Sequence, residues 1–136
     1  MIEIEPTSRI AIVGSRDYPD LNCVSDFVKK LKEDYGTEIT IVSGGARGVD
    51  SAAANEAVMQ GLAISIWRPD WNQGKKAGMR RNYKIVNDAD WVVSFWTGDI
   101  EHSGSAHTIK IAKERDKLWK VFGPDGQEID HDDLDI

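Results

Sequence analysis

The chain has 136 residues, of which 40% are apolar and 29% charged, enough for one packed core and too apolar for wholesale disorder. No apolar run approaches the roughly 18 to 20 residues that span a bilayer, and a single cysteine, Cys23, excludes a disulfide framework and a thiolate zinc cluster. The net charge of -6 is uneven: residues 125–136 hold six acids and no Lys or Arg, which leaves 17 acids against 17 bases in the body. The opening segment MIEIEPTSR carries acids and lacks the basic, apolar pattern of a secretory signal, so a cytoplasmic setting is expected.

Ile10–Val13 is a short, wholly apolar run stopping at Gly14-Ser15-Arg16, the pattern of a parallel strand covered on both faces. From Leu21 to Tyr35, Val24, Phe27, Val28 and Leu31 fall at helical spacing, and Gly36 stops the helix. Glu38–Ser43 predicts a second strand, followed at once by Gly44-Gly45-Ala46-Arg47-Gly48; Asp50–Gln60 predicts a helix and Leu62–Trp67 a third strand. After a loop over residues 68–78, Met79–Asn87 predicts a helix and Asp90–Trp96 a fourth strand. Thr97–Gly104 is a loop, Ser105–Arg115 a helix and Leu118–Phe122 a fifth strand, before the turn chemistry of Gly123-Pro124-Asp125-Gly126.

Alternating strands and helices with short connections predict an α/β Rossmann-like domain: three layers, with a mostly parallel sheet of about five strands between helices. The expected division is a single domain over residues 1–124 and an acidic C-terminal tail over 125–136. Few apolar side chains lie in that tail, so its removal is expected to cost little stability.

In such sheets the ligand crevice lies beyond the carboxyl ends of the strands, which makes the loops the functional map. A lone Gly14 points first to a tight turn; GGARG points to an anion cradle, because glycines let backbone N–H groups approach a phosphate and no core would want Arg47. Asp50 reads either as a helix N-cap or as an acceptor for a sugar hydroxyl. Ala52–Ala54 are small residues that let a helix approach the sheet. Lys75, Lys76, Arg80 and Arg81 crowd one helix start, and a ligand role is expected for at least one of the two arginines. Gly98 and Ser103-Gly104-Ser105 offer small donors at the last helix start. His102 and His107 lack metal-ligand spacing, so no metal and no cofactor are expected. Trp67, Trp71 and Trp96 offer candidate stacking surfaces.

GSR after strand one, SGGARGVDSAA after strand two, PDW…GKKAGMRRN in the middle and FWTG…SGSAHTIKIA after strand four together resemble the YspA/YpsA-related branch of the SLOG superfamily. The resemblance covers about Ile10 to Val121. It implies a Rossmann-like domain, of bacterial or phage type, that binds a nucleotide or nucleotide-derived ligand as a sensor or sequestering protein. The residues implied are Gly14, Ser15, Arg16, Ser43, Gly44, Gly45, Ala46, Arg47, Asp50, Arg80, Arg81, Asn82, Gly98, Ser103, Gly104, Ser105 and Thr108. The superfamily also holds the LOG-type phosphoribohydrolases, whose PGGxGTxxE signature places a glutamate where this chain has Thr108. Threonine cannot act as that carboxylate, so the hydrolysis of a nucleotide N-glycosidic bond stands only as the alternative, with Asp50, Glu56 or Asp99 as the acid. DprA recombination mediators share the GGARGVD-type stretch and bind single-stranded DNA; the charge-neutral body disfavours nucleic acid as a partner here. Relatives often self-associate, so a homo-oligomer is an option the resemblance leaves open.

Overall fold

A computed structural model describes residues 2–98 and 104–134. Among them run β1 (Arg9–Gly14), α1 (Leu21–Tyr35), β2 (Thr40–Ser43), α2 (Val49–Met59), β3 (Ala63–Ile66), α3 (Ala77–Asp88), β4 (Trp91–Phe95), α4 (Gly104–Glu114), β5 (Leu118–Phe122) and β6 (Glu128–Ile129). Single 3-10 turns cover Trp71–Gln73 and His131–Asp133. The sheet order is β3-β2-β1-β4-β5-β6. Every pairing is parallel except β5 with β6.

The side-chain period of two divides β1 between two cores. Ile10 and Ile12 face a cluster with Val24, Val28 and Leu31 of α1 and Val49, Ala53 and Ala57 of α2. Ala11 and Val13 face the opposite cluster, with Ile85 and Val86 of α3 and Ala106, Ile109 and Ala112 of α4. Thus β1 is apolar throughout because both its faces are covered. The small residues at Ala53 and Ala57 are fully buried, which brings α2 close to the sheet.

The chain reverses its direction of sheet growth between β1 and β4, which pair in register from Ile10↔Trp91 to Gly14↔Phe95. That reversal opens a crevice at the carboxyl ends of these strands. The loops after β1, β2, β3 and β4 all leave from the same end, since their strands are parallel.

The structure differs from the sequence expectation beyond Gly123. Val121↔Ile129 and Phe122↔Glu128 pair antiparallel, adding a sixth strand where an acidic tail was expected. Ile129 and Leu134 pack against the α3/α4 core, and Lys113 Nζ donates to the carbonyls of His131 at 3.3 Å and Leu134 at 3.0 Å. Two spaced apolar residues give no periodic signal, so only the partner strand makes them an edge. No described helix is long and apolar enough to cross a membrane.

Candidate functional site

The crevice has a volume of about 590 Å³. Its floor and walls come from three turns. Gly14, Ser15, Arg16 and Asp17 follow β1; Ala46, Arg47 and Asp50 follow β2; Gly104, Ser105 and Thr108 open α4. Arg81, Asn82 and Ile85 of α3 and Thr97 after β4 close the remaining side.

Two of these turns require glycine. A Cβ on Gly14 would run into the Phe95 carbonyl and lie 2.7 Å from Val49 Cβ, so β1 can end against both β4 and α2 only without a side chain. Gly48 has φ +78°, and a Cβ there would lie 2.5 Å from the Arg16 carbonyl and 2.7 Å from that of Ser15. The loops after β1 and β2 are thus packed backbone to backbone.

Asp50 ties these loops together. Its Oδ1 accepts the Gly14 N–H at 3.2 Å and its Oδ2 the Ala46 N–H at 3.4 Å. Gly48, not Asp50, is the N-cap of α2 and makes no side-chain cap; the N-cap alternative is set aside, because the carboxylate reaches outward to neighbouring loops. Only 5% of Asp50 is exposed. Burial pushes its pKa up to about 6, against the pull of the Ala46 N–H, Arg81, the Gly14 N–H and Arg16.

Arg81 is half-buried and bonded to main chain. Its Nη1 donates to the Gly44 carbonyl at 2.6 Å and more weakly to that of Trp67 at 3.4 Å, while Nε donates to Asn82 Oδ1 at 3.0 Å. Asn82, buried, passes the connection on: its Nδ2 donates to the Gly104 carbonyl at 3.3 Å and meets His107 Nδ1 at 3.1 Å. A chain of polar contacts thus runs from the loop after β2, through α3, to the start of α4. Ser15 Oγ accepts the Thr97 N–H at 3.1 Å, joining the turns after β1 and β4.

The crevice gathers Gly14, Ser15, Arg16, Ala46, Arg47, Asp50, Arg81, Asn82, Gly104, Ser105 and Thr108. Ser43, Gly44, Gly45, Arg80 and Gly98 are not on its lining, and Ser103 lies outside the described residues. Ser43 is fully buried, and its hydroxyl donates to the Asp50 carbonyl and accepts the Gly45 N–H. It is therefore a brace beneath the loop. Gly44 accepts from Arg81 and Gly45 from Arg68 Nη1. Arg80 turns away, its Nη1 donating to the Gln73 carbonyl, because adjacent helical residues point about 100° apart. Of the two arginines, at least one of which was expected to take a ligand role, Arg81 is on the lining and Arg80 is not. Thr108 Oγ1 back-bonds to the Gly104 carbonyl at 3.1 Å. His107 packs edge-on against Tyr83, and burial lowers its pKa; it is not on the crevice lining. His102 and Asp99 lie outside the described residues.

Sequence reasoning missed Val13, Asp17, Ile85 and Thr97 on the lining. Thr97, directly after β4, was within reach of the rule that loops at strand ends converge; Ile85 was not, since its place on α3 needs the packing angle. Among the described residues no group of three His, Cys, Asp or Glu side chains gathers to hold a metal.

Sheet order, switch-point crevice and glycine-lined turns define a Rossmann-like domain with a crevice at the carboxyl edge of its sheet. The chain belongs to the DNA recombination-mediator protein A family, which its residues 1–94 match, and hence to the SLOG superfamily. It is 33% identical over 115 residues to the Gene 61 protein of Mycobacterium phage D29, covering 78% of this chain and 89% of that protein. Its fold is that of DNA processing protein A (DprA) from Streptococcus pneumoniae, with a TM-score of 0.67 at 22% identity, over 85% of this chain and 50% of that one. DprA from Helicobacter pylori, solved for its single-stranded DNA binding mode, gives a TM-score of 0.60 at 22% identity over 86% of this chain and 65% of that one. The protein TM1055 gives 0.65 at 19% identity, over 82% and 72%. The chain thus spans half of the pneumococcal protein and just under two thirds of the Helicobacter one.

Proposed function

We propose that the crevice binds a phosphate-bearing nucleotide unit presented by single-stranded DNA, without turning it over. The observation that carries this reading is the convergence of Arg16, Arg47 and Arg81 with Ser15, Thr97 and Ser105 on one crevice, in a chain of the recombination-mediator family. The Helicobacter relative's single-stranded DNA binding supports the choice of polymer.

The neutral body argued against nucleic acid as an average, and the average hides the layout. Arg16, Arg47, Arg68, Lys75, Lys76 and Arg80 are all exposed on turns or a helix start that follow the carboxyl ends of β1, β2 and β3. Among the described residues, the exposed acids of those same turns are Asp17, Asp20 and Asp70. Trp71, 58% exposed, stands in the same loop. Cations with an aromatic platform suit a strand whose bases are unpaired. Acids are concentrated instead in residues 125–136.

A second reading, a free nucleotide or nucleotide-derived molecule held by a cytoplasmic sensor, is supported by the crevice's volume, which suits one nucleotide. The order of the GSR, GGARGVD and GKKAGMRRN motifs supports placement in the YspA/YpsA-related branch, and the phage relative supports a bacterial or phage setting.

Fluorescence anisotropy with a labelled single-stranded 12-mer, in competition with nucleoside monophosphates, separates the two. Binding of the oligonucleotide that weakens steeply with salt, and that millimolar monophosphate displaces only partly, supports the polymer. Tight monophosphate binding with no oligonucleotide binding would replace it with the free nucleotide.

A further inference from the structure

The crevice has exposed cations at its rim and, deeper, a buried carboxylate with the half-buried Arg81 on the same lining. Arg16 and Arg47 are exposed on the lining, whereas Asp50 is buried beneath them. The carboxylate is under-used where it sits. Each oxygen accepts one backbone N–H, at 3.2 and 3.4 Å, and each has a second lone-pair direction. No ion pair among the described residues closes onto it. The nearest guanidinium on α3, that of Arg81, is engaged with the carbonyls of Gly44 and Trp67 and with Asn82.

Charge decides which way round a nucleotide enters. A phosphate against Asp50 would set two anions together in a poorly solvated floor, while the same phosphate at Arg16 and Arg47 meets forked donors at the rim. What reaches the floor must therefore be an uncharged part of the nucleotide, and it must bring a donor, since an acceptor there would leave the carboxylate facing a lone pair.

We propose that Asp50 is a specificity-determining residue of the crevice, accepting a hydrogen bond from an uncharged donor of the bound nucleotide while the phosphate stays at Arg16 and Arg47. This rests on the nucleotide reading of the crevice given above. Two sources present that donor: a sugar hydroxyl, or the exocyclic amino group of a base. The carboxylate's raised pKa accords with a site that favours a neutral neighbour over an anion.

The test uses the wild-type chain and paired ligands, so that no variant need fold. Anisotropy is measured for the 12-mers dA12, ribo-A12 and a deoxy 12-mer whose purines lack the 6-amino group; dA12 with a 3′-deoxy terminus reports on an end hydroxyl. Loss of the donor that Asp50 uses is expected to weaken binding about tenfold or more, because a site built to hydrogen-bond a group rejects the analogue lacking it. A preference for ribo-A12 identifies the 2′-hydroxyl, a loss with the 3′-deoxy terminus the end hydroxyl, and a loss with the amino-free purine the base edge. Asp50→Asn, checked for native circular dichroism, should shrink the discriminating ratio toward one. Oligonucleotides that bind tightly and equally in all four forms would overturn the Asp50 role and leave the nucleotide reading standing. Failure of every oligonucleotide and monophosphate to bind would overturn both.

Discussion

Arg81 Nη1 and the Gly44 carbonyl lie 2.6 Å apart, and this one bond joins α3 to the glycine loop after β2. Arg81 therefore serves the shape of the crevice as much as its charge. Replacing it with alanine should remove a charge-assisted bond and lower stability by about 1.5 to 3 kcal/mol, readable by urea denaturation.

Arg47 offers the contrast. It is exposed on the crevice lining and its side chain makes none of the hydrogen bonds described above. Arg47→Ala should leave the urea midpoint within experimental error while weakening oligonucleotide binding by about 1 to 3 kcal/mol and reducing the salt slope by about one. Equal loss of stability in both variants would refute this division of roles.

Gly48→Ala should be far more damaging than its one added methyl suggests. The left-handed φ of +78° strains any L side chain, and the new Cβ would meet the Arg16 and Ser15 carbonyls, which are backbone and cannot swing aside. A loss of roughly 2 to 4 kcal/mol is expected from strain and overpacking together, together with loss of oligonucleotide binding. Calorimetry that found the native melting temperature would contradict this.

Deleting residues 127–136 should now be costly, contrary to what the composition of that segment suggests. Ile129 and Leu134 would leave the core, Lys113 would lose both carbonyls, and β5 would become an open edge. A loss of about 2 to 4 kcal/mol follows from two half-buried aliphatic side chains and one cation's hydrogen bonds. The check is a thermal melt of the truncated chain, expected several degrees lower.

Asp50 gives stability a definite pH sign. Its folded pKa of about 6 lies above its ordinary 3.8, so between these values the folded chain holds a proton that the unfolded chain has released. The group's contribution is complete below about pH 3.8 and is lost as pH rises through about 6, by roughly 3 kcal/mol in all. Asp50→Asn should flatten this fall. Unfolding free energies measured from pH 4 to 7, with wild type and variant falling in parallel, would rule the assignment out.

Much of this protein was legible in the chain. The wholly apolar run at Ile10–Val13 and the alternation of strands with helices are enough for a parallel sheet, since only coverage on both faces makes such strands uniformly apolar. The bounds of α1 followed from its apolar spacing and Gly36, and the GGARG turn followed from glycine's backbone freedom. These are local properties, and local physics fixes them. Tertiary structure alone decided which residues share a crevice. Arg80 and Arg81 are equivalent in sequence, yet a helical turn of about 100° puts one beside Gly44 and the other beside Gln73. Asp50 read equally as a cap or an acceptor until the loops after β1 and β2 packed together and gave its two oxygens the N–H groups of Gly14 and Ala46. Ile129 became an edge strand because β5 lay open beside it. Each of these outcomes depends on contacts between segments far apart in the chain, and spacing along the chain carries no record of them.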